Sequence, residues 1–143
     1  MAGGKFDFTA KPVQLAMDPC TLVTKAEAEA VVGPVGDANG STFTPPKCVH
    51  VSSKGTGGQL VVSLTEPDFC ALLFLALDQN IFGDVQKRVD DVGDGGMLVK
   101  GNGNVQFVVD GGCIEIDGRI DHDTKVDDQT MLRLAKSAAE RAS

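Results

Sequence analysis

The sequence predicts an α+β domain: an antiparallel sheet with helices packed on one of its faces, in the order α-β-β-α-β-β-β-α. Three observations carry that prediction. A helix-capping signature opens a short segment near residue 25. Compact runs rich in Val, Ile and Leu are separated by Gly/Asn/Asp turns, as in hairpins. The last segment repeats its apolar residues at helical spacing.

Residues 1–17 show no such pattern and are expected to be an irregular or flexible N-terminal segment, with residues 18–143 forming the single domain. In Val23-Thr24-Lys25-Ala26-Glu27 the Thr24 hydroxyl suits the third amide of a helix, and Glu27 can reach back to it. Gly33-Pro34 ends that helix, because Gly accepts a left-handed cap and Pro cannot continue the turn, so it should span residues 25–32. Gly36 to Pro46, rich in small polar residues, predicts a loop. Cys48-Val49-His50-Val51 and Leu60-Val61-Val62-Ser63-Leu64 flank the turn Gly55-Thr56-Gly57-Gly58, which pairs residues 47–53 with 59–65 as a hairpin.

Thr65-Glu66-Pro67-Asp68 then supplies helix-start chemistry before Phe69-Cys70-Ala71-Leu72-Leu73-Phe74-Leu75-Ala76-Leu77. A helix that is apolar on every side is either buried on most faces or offers an apolar surface to a partner. Strands are expected at Met97 to Lys100, Val105 to Val109 and Cys113 to Asp117, with a possible further one near Val85 to Val89. In Cys113 to Asp117, Ile114 and Ile116 alternate with Glu115 and Asp117, so one face of the sheet should meet water. From Asp127-Asp128 onward, Met131, Ala135, Ala138 and Ala142 predict a C-terminal helix against the sheet.

With 143 residues, 42% hydrophobic and 23% charged, the chain has the make-up of one folded domain. Its 20 acidic and 13 basic residues give a net charge of -7, which repels a phosphate backbone and argues against nucleic-acid binding. No Lys/Arg cluster suits an anionic membrane, and the apolar run Phe69 to Leu77 is far shorter than the roughly 20 residues a membrane-spanning helix needs. No apolar segment follows Met1 to Lys5, so no export signal is read there.

Cys20, Cys48, Cys70 and Cys113 are even in number and lack C-x-x-C spacing, which favours two disulfides over a metal or redox site. Chain order suggests Cys20 with Cys48, tying the N-terminal segment to the first hairpin, and Cys70 with Cys113, tying the apolar helix to a strand beneath it. Free buried thiols are the alternative. His50 and His122 are the only histidines; Asp121-His122-Asp123 has the composition of a base with an orienting carboxylate, and Ser52 and Ser53 lie near His50, but no nucleophile-elbow motif is present. Asp90, Asp91 and Asp94, and Glu115, Asp117, Asp121, Asp123, Asp127 and Asp128, form two oxygen-rich groups without EF-hand spacing. Gly93-Asp94-Gly95-Gly96 lacks the Lys and Ser/Thr of a phosphate loop and reads as a sharp turn.

Asp18-Pro19-Cys20-Thr21-Leu22-Val23-Thr24 with Glu27, Ala28, Glu29 and Gly33 resembles the DPC-x-LLT-x-x-E opening of exported actinobacterial lipoproteins of the DUF3558 type. Val89-Asp90-Asp91-Val92-Gly93-Asp94-Gly95-Gly96 is similar to the V-x-G-x-GD-x-A segment of that family, and Leu134-Ala135-Lys136 fits its final helix. The chain departs from the pattern in lacking the lipid-modified cysteine, in placing Val92 where a small residue is common, and in following Cys48 with Val49-His50 rather than an aromatic. The resemblance implies export, with any lipid anchor outside this chain, and no common activity. The expected role is a non-catalytic cell-envelope domain that needs no cofactor. It would bind a protein partner or a small apolar ligand through the sheet or beside the apolar helix, with no individual binding residue assigned. The alternatives are a hydrolase using His122 or His50, and a calcium-stabilised adhesion-like domain.

Overall fold

The structure, a computed structural model, describes residues 6–36, 38–41 and 46–143. Met1 to Lys5, and residues 37 and 42–45 of the expected loop, lie outside them. Helices α1 (Lys25–Val32), α2 (Pro67–Gln79) and α3 (Asp128–Ala142) accompany strands β1 (Asn39–Ser41), β2 (Lys47–Val51), β3 (Gln59–Leu64), β4 (Gln86–Val89), β5 (Gly96–Val99), β6 (Asn104–Val109) and β7 (Gly112–Arg119). All seven strands join one antiparallel sheet, in the order β1-β2-β3-β7-β6-β5-β4. The class is α+β. The chain lays down β1 to β3, crosses to the far edge through α2, and returns as the meander β4 to β7, which closes against β3. Of the two short edge strands, β4 fills the expected stretch near Val85 to Val89, whereas β1 corrects the loop predicted from Gly36 to Pro46, since Asn39 to Ser41 pair with β2.

α1 has the expected bounds and both bonds of its capping box, Thr24 Oγ1 accepting from Glu27 N at 3.1 Å and Glu27 Oε1 from Thr24 N at 2.9 Å. Arg141 of α3 donates to Glu27 Oε1 at 2.6 Å and to the Leu22 carbonyl at 2.8 Å, so the first and last helices are tied together. At the β5–β6 turn Gly103 has φ +59°, and a Cβ there would strike the Gly118 carbonyl oxygen; glycine alone satisfies both demands.

Strand alternation divides the side chains between two faces. Leu60, Val62 and Leu64 of β3, Ile114 and Ile116 of β7, Val105, Phe107 and Val109 of β6, and Leu98 of β5 form one core with Leu22, Val23 and Ala28 around α1 and with Met131, Leu134, Ala135 and Ala138 of α3. The intervening positions Met97, Val108 and Cys113 belong to a second core with Cys70, Leu73, Phe74 and Leu77 of α2. α2 therefore lies on the opposite face from α1 and α3, which corrects the expectation of helices on one face only. The physical reason is the disulfide between Cys70 and Cys113: Cys113 shares its side of β7 with Glu115 and Asp117, not with Ile114 and Ile116, so α2 must follow it there.

Cys20 is likewise bonded to Cys48, joining the 3-10 turn Pro19–Thr21 to β2. Residues 6–17 form no helix or strand but lie against the domain. Leu15 is buried in the first core, Val13 N donates to the Gly111 carbonyl at 2.9 Å, and the rings of Phe6 and Phe8 meet Phe74 of α2 edge-on at 5.4 and 5.9 Å. The packed body thus begins ahead of residue 18.

Candidate functional site

α2 begins at Pro67, with Glu66 extended before it, and ends at Asn80 in the left-handed conformation (φ 53°). Its Cys70, Leu73, Phe74 and Leu77 are buried on the sheet, and Arg88 of β4 donates from Nη1 to the Leu77 carbonyl at 2.8 Å near the end of the helix. The opposite side of the helix carries Asp68 and Asp78 but also a large apolar share that is left uncovered: Phe69 is 63% exposed, Leu72 62% and Leu75 49%. Ordinary surface helices carry polar residues there.

The sheet runs past the edge of α2, and the two enclose a groove of about 600 Å³, within the size range of small-molecule sites. One wall is Phe69, Leu72, Leu73 and Ala76 of α2. The floor is polar, because it is the face of the sheet that the main core leaves outside. Cross-strand pairing aligns Lys47, Ser63, Glu115, Gln106 and Met97 in one row across five strands, and all five line the groove. Asn104 holds the floor in shape by donating from Nδ2 to Glu115 Oε2 at 3.0 Å and to Asp117 Oδ2 at 3.1 Å; Gln106 Nε2 adds a longer contact to Glu115 Oε2 at 3.4 Å. Glu115 lines the groove, and among the described residues its Oε1 accepts no hydrogen bond.

A second concavity, of about 500 Å³, is lined by Asp91, Gly93, Asp94, Asp110, Lys136 and Glu140 among others. Lys136 is already paired with Asp91 at 2.7 Å, and the surplus of carboxylates opposes a phosphate. The Gly93 to Gly96 turn instead approaches the sheet closely, since a Cβ on Gly93 would strike the Val108 carbonyl oxygen of β6.

The histidines are far apart in character. His50 is 2% exposed on the core side of β2, with Nε2 3.8 Å from Cys48 Sγ and no hydrogen-bond partner for Nδ1 among the described residues. Burial lowers its pKa. Of the neighbouring serines, Ser52 Oγ accepts from Lys54 N at 3.4 Å and Ser53 Oγ donates to the Pro34 carbonyl at 3.0 Å. His122 is exposed and covers Gly57, where a Cβ would sit 2.7 Å from its ring.

Several of the other acids serve local structure. Asp90 pairs with Arg88 at 2.6 Å. Asp121 accepts from the Asp123 and Thr124 amides, Asp127 caps α3 through Thr130 N, and Asp128 accepts from Gly101 N. Among the described residues, no three His, Cys, Asp or Glu side chains converge in an arrangement able to hold a metal ion, and no helix is long and apolar enough to cross a membrane.

Searches against protein-family models, curated proteins and solved structures return no match to this chain.

Proposed function

We propose that this is a non-catalytic extracytoplasmic domain that binds a small apolar or amphipathic ligand in the groove between α2 and the sheet. The observation that carries the proposal is the uncovered apolar wall of Phe69 and Leu72 facing a hydrogen-bonding floor across about 600 Å³. A non-catalytic role is supported by the lining of the groove. It contains no histidine, and among the described residues its one serine, Ser63, has no base hydrogen-bonded to it. Two disulfides support an oxidising compartment, and so does the resemblance of the opening to exported DUF3558-type lipoproteins.

The test is a titration of the ¹⁵N-labelled domain with dodecanol. Amides of α2 and of β6 and β7 around Gln106 and Glu115 should shift together with one saturation curve. Shifts confined to another surface, or none, would overturn the assignment of the groove.

A further inference from the structure

The charge of the groove narrows its ligand. We infer that it takes a single-chain amphiphile with a positively charged, hydrogen-bond-donating head, the head on Glu115 and the chain along Phe69, Leu72 and Ala76. The inference rests on the groove being the binding site and adds the class and orientation of the ligand.

Three ionisable side chains line the groove, Lys47, Glu66 and Glu115, so acid outnumbers base. Lys47 is exposed on β2, two strands from Glu115 along the shared row, and its ammonium keeps its water. Glu115 is half-buried in the middle of the row, and Asp117, two residues on along the same face of β7, adds a second negative charge held by the same Asn104 amide. Asn104 and Gln106 both donate to Oε2, which fixes the carboxylate and leaves Oε1 for a donor from outside. A carboxylate head would meet like charge at that point, whereas an ammonium would complete it. The apolar wall begins beside this floor, so a chain attached to the head has an apolar surface to cover.

The experiment compares dodecylammonium, dodecanol and dodecanoate by calorimetry at pH 7 in 150 mM salt, the two ions below their micelle concentrations and the alcohol below its solubility limit, with wild type, Glu115→Gln and Asp123→Asn. Asp123 is an exposed loop acid outside the groove, so its variant reports what the overall charge of -7 contributes by itself. The expected order in wild type is ammonium, then alcohol, then carboxylate. Glu115→Gln should weaken the ammonium about tenfold and remove most of its advantage over the alcohol; Asp123→Asn should change neither. Dodecanoate binding as tightly as dodecylammonium, or Asp123→Asn losing as much as Glu115→Gln, would overturn the head assignment while dodecanol binding still upheld the groove. Binding of none of the three would overturn the groove itself.

Discussion

Leu72 and Leu73 are neighbours on α2, and the structure assigns them opposite consequences when each is replaced by aspartate. Leu73 is 3% exposed in the second core, among Cys70, Phe74, Leu77, Met97 and Val108. Its loss removes about 2–3 kcal/mol of burial, and the carboxylate put in its place has no partner there, which adds several kcal/mol more. A total of at least about 5 kcal/mol is comparable to the whole stability of a small domain. For 143 residues the unfolding entropy is about 0.3 kcal/mol/K, so Tm should fall by at least about 15 °C if the variant folds at all. Leu72, at 62% exposed, has little burial to lose, and Leu72→Asp should stay within about 0.5 kcal/mol of wild type. Thermal unfolding followed by far-UV circular dichroism separates the two. Equal losses would refute the orientation of α2, and a stable Leu73→Asp would refute its packing on the sheet.

The disulfides and the buried histidine give further expectations. Replacing Cys70 and Cys113 by alanine together frees a loop with a sequence separation of 43, worth about 4 kcal/mol of unfolded-chain entropy, and the Cys20–Cys48 pair, at a separation of 28, about 3.5 kcal/mol. Each double variant should melt more than about 10 °C lower, and peptide mapping without reduction should show those two links and no others. His50 has its pKa lowered in the folded state, so the fold prefers the neutral ring. Stability is complete above the unfolded value of about 6.5 and is lost as pH falls below it toward the folded value. Chemical denaturation between pH 7 and 5 should show that loss, and His50→Leu should flatten it. Below that window a second loss is expected from Glu27. Burial pushes its carboxyl up, but the hydrogen bonds from Arg141 and Thr24 outweigh burial and hold it below the usual range, so its contribution disappears as acid protonates it. Thr24→Ala should cost about 1 kcal/mol through the lost cap.

The elements legible in the sequence are those with local chemistry of their own. The Thr24/Glu27 pair places α1, glycine turns separate β5, β6 and β7, and Asp127 starts α3 as a cap accepting from Thr130 N. β1 is illegible because Asn39, Gly40 and Ser41 have no strand preference. They pair with β2 beside the Cys20–Cys48 link, where a Cβ on Gly40 would lie 3.5 Å from Cys20 Sγ. The side taken by α2 was within reach of the sequence. Pairing Cys70 with Cys113 while Cys113 alternates with Ile114 already puts the helix on the face of Glu115. The groove was not. Ser63, Gln106 and Glu115 come from three strands and look in sequence like any solvated face; only the register β3-β7-β6 brings them into one row beside Leu72.

The central claim is that the uncovered side of α2 and the polar floor make a binding groove. Nile red, a neutral apolar dye, tests it most directly when titrated into wild type and into Leu72→Asp at matched folded fraction. Saturable binding by wild type and at least about a tenfold loss in Leu72→Asp, with melting unchanged, is the predicted result. Equal binding by the two proteins would contradict the claim and place the ligand site elsewhere.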